Sequence, residues 1–168
     1  MLERKKVHDM RRLFATCAML LLLWVPLRAQ HISEFMVRIT VGENEDHCTA
    51  FQVKPGIYFT AAHCVHNEPV RLGGKNVDVL LADDVSDLGV FRSTIKLPKV
   101  IELGKAPKPL DGVVLLGYAH IVDVPFFFDA RVLATSVEPF EGIAPVLLMN
   151  TPVTPGMSGG PITDRQGK

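Results

Sequence analysis

Between residues 35 and 163 the apolar positions come in short runs, separated by clusters of Gly, Pro, Asn and Asp. Phe35-Met36-Val37-Arg38-Ile39-Thr40-Val41 mixes apolar and polar positions as a half-buried strand does, and the polar stretch 42–46 reads as a turn. Strands follow over Cys48 to Val53, closed by Pro55-Gly56, and over Ile57 to Thr60, which runs into Ala61-Ala62-His63-Cys64. Val70 to Leu72 and Val77 to Leu81 flank a Gly73-Gly74 turn, an acidic loop covers Asp83 to Asp87, and Leu88 to Phe91 is a further apolar strand. Pro98 to Asp111, with three prolines, reads as a linker between two halves. Val113 to Tyr118, Ala130 to Ser136 and Val146 to Met149 are the strands of the second half. No helical periodicity, internal repeat or low-complexity tract interrupts this pattern, so it predicts an all-β barrel or sandwich.

Residues 1–29 stand apart. A basic start (Arg4, Lys5, Lys6, Arg11, Arg12) precedes an almost wholly apolar run of 15 residues from Leu13 to Leu27, and Ala29 offers a cleavage point. The run is shorter than the roughly 20 residues a membrane-crossing helix needs. The segment therefore reads as an export signal, with an uncleaved signal anchor as the lesser alternative. Export would take the chain to a periplasmic or extracellular compartment, and membrane contact is expected only if the signal stays attached.

Removal of the signal changes the charge. Six of the 18 Lys and Arg and two of the 18 Asp and Glu lie in residues 1–29, so residues 30–168 carry 12 basic against 16 acidic groups, a formal −4. A mildly acidic domain without a basic run gives no support for a nucleic-acid partner. These 139 residues suffice for one sizeable core. They hold two cysteines, Cys48 and Cys64. An isolated pair in an exported chain favours a disulfide, provided neighbouring strands bring the two together.

Candidate chemistry sits on three loops. Thr154-Pro155-Gly156-Met157-Ser158-Gly159-Gly160-Pro161 surrounds one serine with small residues whose amides can converge on an anion. Ser158 is thereby a candidate nucleophile, with the amides of Gly156 and Ser158 as the oxyanion hole. A Gly-Pro turn with Ser158 present for its turn propensity is the plainer reading of that octapeptide alone. His63 follows two alanines at a strand end, and Asp87 precedes an apolar strand where its carboxylate would be half buried. A carboxylate holding Nδ1–H of His63 would leave Nε2 free to take the proton of Ser158.

Thr60-Ala61-Ala62-His63-Cys64, Asp87-Leu88-Gly89-Val90 and Pro155-Gly156-Met157-Ser158-Gly159-Gly160-Pro161 resemble the three signature blocks of trypsin-like (chymotrypsin-fold) serine peptidases, and the bacterial HtrA/Deg-type members look nearest. The resemblance runs from about Val37 to the end. It implies two perpendicular Greek-key β-barrels with the active site between them, residues 30–97 forming the first, 98–111 the connection and 112–168 the second. It further implies His63 as general base, Asp87 as its orienting partner, Ser158 as nucleophile, and a Cys48–Cys64 bridge. The activity implied is serine-type endopeptidase hydrolysis of protein or peptide substrates through an acyl-enzyme, with no metal or cofactor.

Two departures from the family pattern carry consequences. Members activated by propeptide release place an aspartate before the serine; here Met157 stands there, so activity is expected after signal removal alone. The chain also stops at Gly167-Lys168, where the family continues from the hairpin of residues 162–167 into strands that complete the second barrel. A fragment of a longer reading frame is expected, with completion of the sheet by something else or a catalytically weak product as the alternatives; the second barrel is then incomplete, with exposed core and Val146 to Met149 lacking a neighbour. The segment Asn150-Thr151-Pro152-Val153 brings no acid to a specificity pocket, which disfavours cleavage after Lys or Arg and leaves small or aliphatic side chains.

Two other functions are compatible with the same residues. A peptidase-like module could capture peptides without cutting them. His47-Cys48 and His63-Cys64 could in principle bind zinc, although the spacing fits no recurrent ligand pattern and exported cysteines oxidise. His66 and His120 are assigned to loops, His31 to the N-terminal tail, Trp24 to the signal, and Phe126-Phe127-Phe128 to a strand that cannot turn all three rings inward.

Overall fold

A computed structural model describes residues 34–66, 68–120, 124–137 and 144–164. The sequence-derived signal, residues 1–29, lies outside the described residues, as does His31. Strands β1 (Met36–Val41), β2 (Asp46–Lys54), β3 (Ile57–Ala61), β4 (Val70–Leu72), β5 (Lys75–Asn76), β6 (Asp78–Asp83) and β7 (Leu88–Arg92) build the first sheet. Its order is β5-β4-β1-β2-β3-β7-β6, with every neighbouring pair antiparallel. Strands β8 (Gly112–Tyr118), β9 (Pro125–Val137), β10 (Val146–Met149) and β11 (Ile162–Thr163) form the second, in the order β10-β9-β8-β11. The only helical element among the described residues is one 3-10 turn, Ala62–Cys64. The all-β expectation holds, with a second barrel that is incomplete. No helix among the described residues is long and apolar enough to cross a membrane.

Alternation places the core. Ile39 and Val41 of β1, Ala50 of β2, Tyr58 of β3 and Phe91 of β7 face one interior, and Tyr58 stacks on Phe91 at 5.1 Å between ring centroids. Burial raises the Tyr58 phenol above its ordinary pKa, and its hydroxyl is satisfied by donating to the Ile95 carbonyl at 3.0 Å. The second interior is smaller: Val113, Ala130 and Val132, with Leu147 and Met149 against them.

Gln52 shows how the segment after β7 is held on the first sheet. Its fully buried amide donates to the carbonyls of Leu97 (3.0 Å) and Lys99 (2.8 Å), and its oxygen accepts from the amides of Gly56 (2.9 Å) and Leu97 (3.1 Å). All its polar valences are used, so burial costs no unpaired group.

The second sheet departs from expectation at β10. Val146 to Met149 does have a neighbour, β9, through pairs such as Val146 with Val137 and Met149 with Val132. The extension of β9 to 13 residues makes this possible, and it takes in Phe126-Phe127-Phe128. Phe126 and Phe128 stack at 6.3 Å, while Phe127 on the opposite face is 42% exposed. Among the described residues no strand pairs with the far edge of β10, and Leu148 and Val146 are exposed. Between residues 104–113, Leu147 and residues 162–164 a cavity of about 640 Å³ opens to solvent.

Candidate active site

His63 lies in the 3-10 turn that ends β3, and Asp87 closes the turn from β6 to β7. The antiparallel register sets Ala61 opposite Leu88, so the two loops leave the sheet side by side. Three contacts fix the carboxylate. Nδ1 of His63 lies 3.0 Å from both Oδ1 and Oδ2 of Asp87, and the main-chain amide of His63 donates to Oδ1 at 3.1 Å. The backbone adds a fourth tie, Ala62 N–H to the Asp87 carbonyl at 3.0 Å. Asp87 takes a left-handed conformation (φ +51°), which Asp tolerates better than most residues.

The Asp87 side chain is 54% exposed and that of His63 58%, so the carboxylate is about half covered and not enclosed. The carboxylate sits at the apex of a solvent-facing turn, where hydrogen bonds, rather than a low-dielectric pocket, supply its orientation. An ion pair this exposed contributes at most about 1 kcal/mol to stability.

Ser158 occupies the neighbouring loop. Its carbonyl accepts from Thr49 N–H at 2.8 Å, and the hydroxyl of Thr49 donates to the Gly156 carbonyl at 2.8 Å while accepting from Tyr118 N–H at 2.9 Å. The Thr49 carbonyl in turn accepts from the hydroxyl of Thr60 at 2.7 Å. Thr49, fully buried in β2, thus ties the serine loop to the strand that ends in the histidine turn and to β8 of the second sheet. The second sheet holds the loop from its other side, through His120 N–H to Pro155 (2.8 Å) and Leu116 N–H to Pro161 (3.1 Å). Among the described residues no hydrogen bond joins the Ser158 hydroxyl to His63, and neither the Gly156 nor the Ser158 amide is bonded to a protein acceptor. Such donors are free to receive an oxyanion.

Gly159 explains how close the loop comes. It has φ +81°, and a Cβ there would lie 2.7 Å from the Ala61 amide and collide with the Thr60 hydroxyl and the Thr49 carbonyl. Met157 points the other way, buried against Gly117 of β8. Cys48 and Cys64, on the adjacent β2 and on the turn after β3, are joined in a disulfide with Cα atoms 6.2 Å apart. It closes a loop over a sequence separation of 16, which stabilises the fold by about 3 kcal/mol on loop-closure grounds and pins the histidine turn to β2. Cys48, His63 and Cys64 have ligand atoms within 4.8 Å of one another, but the two sulfurs are bonded to each other and offer no thiolate.

Several participants carry no local sequence signal of this role. Thr49 and Gln52 read as ordinary strand positions; only the rule that a buried polar side chain must be hydrogen-bonded marks such residues. His66 and His120, assigned to loops, both have partners: Nδ1 of His66 is 3.1 Å from Asp84, and the His120 ring lies 5.2 Å from that of His47.

Residues 27–105 match the family model described as Trypsin. No match was found among curated proteins. Among solved structures, the inactive form of the Rv3671c protease is 24% identical, covering 83% of this chain and 77% of that one, with a TM-score of 0.64. The active form, from M. tuberculosis, is 23% identical, covering 83% of this chain and 69% of that one, again at 0.64. The HtrA-type protease AlgW, solved with a tripeptide, is 19% identical over 80% of this chain at a TM-score of 0.69, and this chain spans about half of it, 48%. Residues 27–105 thus carry the Trypsin match, and the described residues share the fold of these serine proteases, an HtrA-type one among them.

Proposed function

We propose that the chain is an exported serine endopeptidase in which Ser158 is the nucleophile, His63 the general base and Asp87 the group that orients it. Oγ of Ser158 attacks the peptide carbonyl carbon while Nε2 of His63 takes its proton. The C–N bond then breaks, the imidazolium returns the proton to the leaving amine, and an acyl-enzyme remains. Water, deprotonated by the same nitrogen, releases the acid and restores the serine. The amides of Gly156 and Ser158 stabilise the oxyanion of each tetrahedral intermediate. The observation that carries this reading is the grip of Asp87 on His63: with Nδ1 bonded to the carboxylate, the proton belongs on Nδ1 and Nε2 is left as a base.

The Cys48–Cys64 disulfide supports export to an oxidising compartment, with residues 1–29 as the signal. Residues 30–97 and 112–168 are assigned to the two barrels, and 98–111 to their connection. Met157, buried and uncharged, is consistent with activity once the signal is removed. The substrates proposed are protein segments in extended conformation, with a small or aliphatic residue before the scissile bond.

Incubation of an unfolded protein with the full chain should yield fragments, and Ser158→Ala should yield none. Equal fragments from both would move the chemistry elsewhere. Capture of the substrate without cleavage by the unsubstituted chain would favour the peptide-binding module instead.

A further inference from the structure

The histidine turn and the acidic turn are joined twice. The inner rung is His63–Asp87; the outer is His66–Asp84, with Nδ1 of His66 3.1 Å from Oδ1 of Asp84. Both rungs connect the same two segments, residues 62–66 and 84–87, three residues apart on each. The Ala62 N–H to Asp87 carbonyl bond and the pairing of Leu88 with Ala61 and Asp83 hold the Asp87 end of the turn, and among the described residues no main-chain bond joins Asp84 to the histidine turn. Other ties act elsewhere: Asp83 binds the Ser86 hydroxyl and, at 3.1 Å, the Val85 amide, which stiffens the turn internally, and the Val85 carbonyl accepts from Ala144 N–H at 2.9 Å. His66–Asp84 is the side-chain contact that ties the far end of the acidic turn to the histidine turn itself.

We infer that His66 and Asp84 are positioning residues for the proposed peptidase reaction, an outer pair that holds the Asp87 carboxylate in register with Nδ1 of His63. This rests on the reading of His63 and Asp87 as base and orienting group. The pair is exposed, 40% for His66 and 68% for Asp84, so its loss should hardly alter global stability. Its effect is geometric. A carboxylate displaced by a fraction of an ångström holds the Nδ1–H form of His63 less well, and turnover falls while substrate binding does not. The other ionisable groups on these two turns are His63, Asp87 and Asp83, of which Asp87 is engaged by His63 and Asp83 by Ser86.

The test uses the full chain and the variants His66→Ala, Asp84→Ala and His66→Asn. Asparagine keeps a hydrogen-bond donor near the place of Nδ1 but carries no charge. The two alanine variants should lower kcat roughly three- to tenfold at unchanged KM and unfolding midpoint, and His66→Asn should recover most of the loss. Ring 15N shifts of neutral His63 give a second readout that needs no turnover: the Nδ1–H tautomer fraction should fall in both alanine variants and return in His66→Asn. Alanine variants with the kcat and tautomer balance of the unsubstituted chain overturn the inference. So does an asparagine variant no better than alanine, which would mark a charge effect. If hydrolysis proves independent of Ser158 the proposed function fails, and the tautomer balance still decides the pair.

Discussion

Asp87→Asn should lower kcat by about 10⁴-fold while leaving the fold and KM nearly untouched. Asparagine tolerates the left-handed backbone at this position as aspartate does, so the turn keeps its shape. The difference lies in the proton. The His63 main-chain amide donates to Oδ1, and in the variant that place must go to the amide oxygen. The NH₂ group then takes the position of Oδ2, 3.0 Å from Nδ1, and donates to it. Nδ1 becomes an acceptor, Nε2 carries the proton, and the base proposed for Ser158 is gone. The imidazolium of the transition state also loses its counter-charge. Steady-state kinetics on an unfolded-protein or peptide ester substrate measures the change; a fall of less than about tenfold would mean Asp87 does not orient the base.

Gly159→Ala should be the most damaging single substitution in the serine loop. The new methyl would meet the Thr60 hydroxyl, the Thr49 carbonyl and, at 2.7 Å, the Ala61 amide, and β2 and β3 cannot retreat because they are central in the sheet. The backbone must also hold φ +81° with a side chain. Together these should cost about 3 kcal/mol or more of stability. The loop would move off Thr49, and turnover should fall by about 10²-fold even in the folded fraction. Gly74→Ala separates the two causes. It shares a positive φ, +75°, but nothing lies within 4 Å of its added methyl. It should cost only about 1 kcal/mol and leave turnover unchanged. Denaturant unfolding of both proteins, alongside kinetics, makes the comparison; equal penalties would show that the close approach of the loop to β2 and β3 has been misread.

The division between what the sequence reveals and what it hides follows the range of the interactions. Alternation around Ile39, Tyr58 and Phe91 makes the strands of the first sheet readable, because each needs only its own two faces. Strand β9 is under-read in its length: Phe126 to Phe128 and Ala130 to Ser136 are read as separate strand stretches, and their continuity shows only in the pairing with β8. The neighbour of β10 is missed for a similar reason: that strand bends onto an extension of β9 that its own residues do not announce. At the site, glycines and small residues mark the loops, whereas Thr49 does not show itself. Its role depends on Gly156, Ser158, Thr60 and Tyr118, up to 109 positions away in the chain. The exposure of Asp87 is likewise a tertiary property. An aspartate before an apolar strand looks poised for burial, but at this turn about half of its side chain stays open to solvent.

A fluorophosphonate probe phosphonylates, with loss of fluoride, a serine that is made nucleophilic by a base and faces an oxyanion site, so its adduct reports the whole arrangement at once. Peptide mapping of the labelled full chain should place one adduct on Ser158, and His63→Ala should abolish it. An unlabelled Ser158 in folded, disulfide-bonded protein, or labelling that survives His63→Ala, would contradict the assembly of base and nucleophile on these loops.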